Sequence, residues 1–217
     1  AGGGASSRNQ GQIGAIFKRS FKQLDDGYGR AKTLAIYREG QRGVAFVKEL
    51  IRSEGIECQL EENGRLVLAY TPEDYDDLAR ELEVLRREID FSADMVSRAE
   101  QRREIGSDFY YGAQVRHADA AIHGGLFHQG LLDRAMAAGA TIAPHTPVTA
   151  IRRESKGFEI ETPRGRVAAD EVVIATNGYT GRATPALRRR LLPMGAYTIA
   201  TEPLDPETVR RINPNRR

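Results

Sequence analysis

The sequence predicts an α/β fold, and three patterns carry that expectation. Apolar residues recur at helical spacing in three stretches. Short alternating runs between turn residues read as antiparallel strands. One run, residues 171–176, is continuously apolar after its first residue, as a strand buried on both faces of a parallel sheet would be. The 217 residues can make one large domain or two small ones, and 40% apolar content is enough to bury a core.

Residues 1–14 read as a loop, because four glycines and two serines fall in the first eleven positions. Residues 28–54 read as a helix, with Leu34, Tyr37, Val44, Val47 and Ile51 near one face and Gly55 placed to end it. A strand is expected over 64–69. Thr71-Pro72-Glu73-Asp74 then has the form of a helix start: a capping hydroxyl, proline at the first position and acids in the first turn. That helix runs to Ile89 with a stripe of Tyr75, Leu78, Leu82, Leu85 and Ile89, which suits packing on a sheet.

Residues 92–123 are less regular, with a short strand expected within 109–115. A helix over 125–138 ends at Gly139. Short strands follow at 141–143, 148–153, 157–162 and 166–168, with turns at Ser155-Lys156-Gly157 and Pro163-Arg164-Gly165, and together they read as an antiparallel meander. The buried strand at 171–176 runs into Asn177-Gly178-Tyr179, and a last strand is expected over 192–201.

Composition removes several functions. Charged residues make up 29% of the chain and the net charge is +2, as in an ordinary soluble protein. Arginines gather at 188–190, 210, 211, 216 and 217, but no nucleic-acid motif accompanies them, so they read as solvated helix faces and no nucleic-acid partner is expected. Cys58 is the single cysteine, so no internal disulfide can form, which favours a reducing, cytoplasmic setting. His117, His123, His128 and His145 lack zinc-site spacing, and no metal site is expected. No run is long and apolar enough to span a bilayer, and neither a membrane span nor a signal peptide is expected.

Two segments carry chemistry. Gly4-Ala5-Ser6-Ser7-Arg8-Asn9-Gln10-Gly11-Gln12 combines small residues, which let a ligand approach the backbone, with hydroxyl and guanidinium donors suited to phosphate; a frayed terminus is the alternative. Ala175-Thr176-Asn177-Gly178-Tyr179-Thr180 follows the apolar run, where ligands bind in open α/β sheets; an ordinary Asn-Gly turn is the alternative.

Taken in order, these segments resemble a known family. Residues 4–12, the stretch from Tyr111 to Ala140, Thr146-Pro147-Val148 with Ile151, residues 175–180 and Ala200-Thr201-Glu202-Pro203-Leu204 are similar, in colinear order, to the D-amino-acid oxidase, glycine oxidase and sarcosine oxidase group of FAD-dependent oxidoreductases. Within it, the resemblance is greatest to gamma-glutamylputrescine oxidase-like members. His123-Gly124 stands where the family often has His-Pro.

The resemblance implies FAD as cofactor and assigns positions. Ser6, Ser7 and Arg8 would lie near the pyrophosphate and ribityl chain, and Asn9, Gln10, Gly11 and Gln12 along the isoalloxazine ring. Val148 would hydrogen-bond the adenine through its backbone, and Ala175, Thr176, Asn177 and Gly178 would close over the cofactor. The implied reaction moves a hydride from the α-carbon of an amine or amino acid to flavin N5, leaving an imine. No catalytic acid or base is nominated. Gln10 and Gln12 are candidates beside the ring, and Tyr110 and Tyr111 are read as packing residues before substrate contacts.

The family's Gly-x-Gly-x-x-Gly turn, with its preceding strand and following helix, is absent here. The chain is therefore expected to be an internal piece holding an incomplete FAD-binding Rossmann-like domain (1–55 and 124–182) and part of an antiparallel-sheet substrate domain (56–123 and 183–217). The alternative expectation is a non-catalytic truncated fragment that does not hold flavin alone, with self-association through exposed edges.

Overall fold

In a computed structural model, residues 2–15, 17–195 and 197–217 are described. Ala1 of the opening loop and Ala196 of the expected last strand lie outside them. The chain forms two compact units, Gly2–Ala138 with Ala200–Arg217, and Gly139–Ile199.

The larger unit opens with the loop, which ends in a two-residue strand, β1 (Gln12–Ile13). A helix not anticipated from the sequence follows, α1 (Phe21–Tyr28). Its signal was present: Ser20 Oγ accepts from the Gln23 N–H and the Gln23 side chain accepts from the Ser20 N–H, a capping box read directly from Ser-x-x-Gln. The long helix α2 (Arg30–Ser53) then buries Leu34, Tyr37, Val44 and Ile51, all from the expected stripe. Strand β2 (Arg65–Leu68) and helix α3 (Pro72–Ile89) fall where expected. Thr71 caps α3 through the Asp74 N–H, and Asp74 returns a bond to the Thr71 N–H.

The irregular stretch resolves into β3 (Ala93–Val96), β4 (Ala113–Arg116) and β5 (Ala120–Ala121). β4 is the centre of an antiparallel sheet ordered β2-β4-β3, and all four of its residues are buried. The stripe of α3 covers this sheet: Leu82 and Leu85 are 2% and 1% exposed, and Gln114 donates to the Leu78 carbonyl at 3.3 Å. One core joins α1, α2 and α3 through Phe21, Leu24, Leu34, Tyr37, Leu82, Leu85 and Phe91. A second packs Ile13, Ala15, Val44, Ile51, Ile56, Cys58 and Ala120 together. Helix α4 (Gly124–Ala137) begins at His123, whose Nδ1 accepts from the Leu126 N–H at 3.1 Å, so histidine itself makes the helix start.

The smaller unit holds the antiparallel meander β6 (Ala150–Arg153), β7 (Phe158–Thr162) and β8 (Gly165–Ala169), in that order. Among the described residues three expected strands are absent. Residues 141–143 pair with no described residue, and Pro144 removes the next amide donor. Residues 171–176 are irregular apart from the turn that Thr176 opens, and Val173 is 88% exposed, so this is not the expected buried parallel strand. The described residues of 192–201 also form no strand, with Leu192, Met194, Tyr197 and Ile199 strongly exposed. An apolar run becomes a strand only when neighbours satisfy its amides and carbonyls, and no described segment pairs with either run. Among its described residues this unit buries none. It also contains a four-residue helix, α5 (Pro185–Arg188).

The larger unit ends with α6 (Pro206–Ile212), whose following residues return to the body. Arg217 pairs with Glu104 at 3.3 Å and Arg216 pairs with Glu61. Among the described residues no helix is long and apolar enough to cross a membrane.

Candidate functional site

The loop before β1 folds on itself. Ser7 Oγ donates to the carbonyls of Gly2 and Gly4, the Arg8 guanidinium donates to the Gly3 carbonyl, and Asn9 Nδ2 donates to the carbonyls of Ala5 and Ser6 at 3.0 and 3.1 Å. Asn9 Oδ1 accepts from the Gly11 N–H at 2.8 Å. Such bonds from Ser and Asn side chains to nearby backbone give an irregular loop a defined shape.

Gly11 ties this loop to the body. Its φ is +67°, and a Cβ there would lie 1.8 Å from the Ile122 carbonyl oxygen. Only glycine meets both demands. The Gly11 carbonyl accepts from the Ile122 N–H at 2.8 Å, and Gln12 and Ile13 then pair with Ala121 and Ala120 of β5. On the other edge of β5, Ala121 exchanges two 2.9 Å bonds with Glu61, and the His123 N–H donates to the Cys58 carbonyl. Residues 120–123 are thus gripped from both sides.

From Gly11 to Ala15 burial alternates strictly: Gly11, Ile13 and Ala15 are buried, Gln12 and Gly14 exposed. Extended backbone puts successive side chains on opposite faces, so Ile13 anchors the core while Gln12 faces outward. A groove of about 490 Å³ lies here. Ser6, Asn9 and Gln12 give it polar edges, and Val44, Val47 of α2 and Phe127 of α4 give it apolar walls. Gly11, Gly14, Gly40, Gly43 and Gly124 keep it open.

Of the loop residues anticipated from the sequence, Ser6, Asn9, Gly11 and Gln12 line this groove. Ser7 is half-buried, and Arg8 and Gln10 are exposed. Val148, Ala175, Thr176, Asn177 and Gly178 belong to the smaller unit. There Val148 is 43% exposed just before β6, and Asn177 opens a 3-10 turn through Tyr179 with φ +43°. Thr176 and Thr180 share a 2.8 Å hydroxyl contact across that turn. Tyr110 packs edge-on with Tyr70 and Phe109, and the Arg98 guanidinium lies 4.3 Å over the Tyr111 ring.

The sequence reading missed the contribution of α2. The available signal was Gly40 and Gly43, two glycines three apart inside a helix, where glycine is disfavoured without a packing reason. It also missed a polar group behind the groove. Asp119 is 3% exposed and abuts Gly14. Burial pushes its carboxyl above the usual range, against the pull of Arg116, Arg65 and Lys48. Burial in turn pushes the Arg116 guanidinium down; it donates to Gln114 at 2.7 Å and lies over the Phe91 ring.

The groove is concave, walled by glycines and apolar side chains and edged by the polar loop, the general form of a small-molecule site in an α/β protein. The chain belongs to the FAD dependent oxidoreductase (DAO) family, whose model matches residues 1–216. It is 28% identical over 214 residues to gamma-glutamylputrescine oxidoreductase of Escherichia coli (strain K12), covering 98% of this chain and 50% of that protein. It is 30% identical over 141 residues to glycine oxidase of Geobacillus kaustophilus (strain HTA426), covering 64% of this chain and 37% of that one. The crystal structure of glycine oxidase from Geobacillus kaustophilus superposes with a TM-score of 0.65 at 28% identity, over 86% of this chain and 49% of that one. The chain therefore spans about half or less of the length of these relatives. The mixed α/β architecture with antiparallel sheets and the family's dependence on FAD stand as the sequence implied.

Proposed function

We propose that the protein oxidises a small amine or amino acid with FAD, and that the loop 6–12 and the groove behind it receive the flavin ring. The observation that carries this is Gly11, whose positive φ and carbonyl contact fasten a polar loop over a glycine-walled groove. The residues suit such a group. Apolar walls from Val44, Val47 and Phe127 match a flat ring, and Ser6, Asn9 and Gln12 offer polar atoms at its edge.

FAD, when bound, supplies a hydride acceptor at N5, so that an amine loses hydride from its α-carbon and a proton from nitrogen to give an imine. The protein's task is then binding and orientation. Ser6, Ser7 and Arg8 serve the pyrophosphate and ribityl chain, Asn9, Gln10, Gly11 and Gln12 the ring, Val148 the adenine, and Ala175, Thr176, Asn177 and Gly178 a covering segment. A neutral amine needs no side-chain base, and none is assigned. The same proposal keeps the division into flavin-binding (1–55, 124–182) and substrate (56–123, 183–217) parts, and a cytoplasmic setting inferred from cysteine use.

A second reading concerns the 217 residues alone: they do not hold flavin, and they self-associate. It is supported by Gly139–Ile199, whose described residues bury no side chain and leave Leu192, Met194, Tyr197 and Ile199 outward. Visible absorbance after gel filtration with added FAD separates the two. A flavin band retained by the full-length protein, with anaerobic bleaching on addition of an amine or amino acid, supports the oxidase. Its absence there refutes it. A band retained by the 217-residue chain refutes the second reading.

A further inference from the structure

Asp119 sits immediately before β5, the strand that receives β1. It is almost wholly buried, and among the described residues its Oδ2 has no hydrogen-bond partner. A Cβ at Gly14 would lie 2.5 Å from that oxygen, 2.8 Å from Cγ and 3.2 Å from Oδ1. The carboxylate is therefore pressed against bare backbone, on the segment that lines the groove.

The β1–β5 ladder is two residue pairs long, and its register is set by what packs around it: buried Ile13, the Gly11–Ile122 bond, and Asp119 against Gly14. Register decides the site: a slip of one residue would turn Gln12 inward and Ile13 outward. A buried carboxylate seated at position 14 blocks that slip, because no residue with a side chain can enter its place. A buried oxygen without a partner is also costly for stability, which marks the group as kept for another purpose.

We propose that Asp119 is a positioning residue for the groove: its carboxylate fixes the backbone at Gly14 and thereby holds Gln12 facing the flavin ring. This rests on the groove receiving flavin, as proposed above.

The test uses the full-length protein. FAD titrations are compared for wild type, Asp119→Ala and Asp119→Asn, together with far-UV circular dichroism and the shape of the visible flavin band. Asp119→Ala is expected to weaken FAD binding by about tenfold or more and to alter the band while the far-UV spectrum is kept. Asp119→Asn, which keeps the size and planar shape of the group against Gly14, is expected to recover part of the loss. Affinity within about twofold of wild type in both variants overturns the proposal. Should the variants not fold, hydrogen exchange on wild type decides: FAD should slow exchange at the Gly14 and Ala15 amides, and no slowing overturns it. Wild type that binds no FAD sinks the functional reading and this inference together. Wild type that binds FAD, with indifferent variants, sinks this inference alone.

Discussion

Replacing Gly11 by alanine tests the loop most directly. The left-handed backbone at φ +67° costs an L-residue about 1–2 kcal/mol. The new methyl would sit 1.8 Å from the Ile122 oxygen. Contact distance is roughly 3.5 Å, so loop and strand must part by more than an ångström. That separation breaks the 2.8 Å bond from Ile122 to Gly11 and strains the one from Gly11 to Asn9, each contributing about 0.5–1.5 kcal/mol. The sum is about 2–5 kcal/mol. If it falls on the loop alone, FAD affinity drops by about 30-fold or more, since about 1.4 kcal/mol is tenfold. If it falls on the whole fold, the thermal midpoint drops instead. An FAD titration and a thermal melt on the full-length Gly11→Ala protein read both. Affinity within about twofold and a midpoint within about one degree of wild type would refute the reasoning.

Other expectations concern the larger unit. Leu85→Ala removes a side chain 1% exposed at the centre of the main core and should destabilise by about 2–5 kcal/mol in denaturant unfolding. Thr71→Ala removes half of the α3 capping box and should cost about 1 kcal/mol by the same measurement, with Thr71→Ser close to wild type. Burial, the Glu81 charge and the 2.9 Å bond that the Tyr37 hydroxyl donates to Glu81 all raise the Tyr37 pKa far above its ordinary value. A raised pKa means the folded state holds the proton more tightly. The stability this gives is intact below about pH 10 and is lost as pH rises through the folded value, so alkaline unfolding should be steeper in wild type than in Tyr37→Phe. Cys58 is 1% exposed and burial pushes its thiol pKa up, so a thiol reagent should label it only after unfolding; rapid labelling of the native protein would contradict the packing.

The amino-acid sequence alone determined those elements whose information is local. The stripe of α2, the Thr71-Pro72 start of α3, the Gly139 end of α4 and the turns of the β6–β8 meander all lie in contiguous residues. Capping, helical period and turn chemistry act within a few residues, so they can be read from a single chain. The α1 helix belongs with them, since Ser20 and Gln23 carry its signal within four residues. The family that the chain's motifs resemble was likewise legible.

Pairing and burial were decided only by the tertiary structure. Whether 171–176 becomes a strand depends on neighbours that supply hydrogen bonds, and apolar composition alone cannot provide them. β3 and β5 exist because β4 and β1 lie beside them, a pairing between segments distant in sequence. The groove needed Gly40 and Gly43 of α2 to meet Gly11, Gly14 and Gly124 from distant parts of the chain. Asp119 is one acidic residue among many in the sequence, and it became a buried carboxylate only when the fold laid it against Gly14, because desolvation depends on what packs around a group and not on its neighbours in sequence.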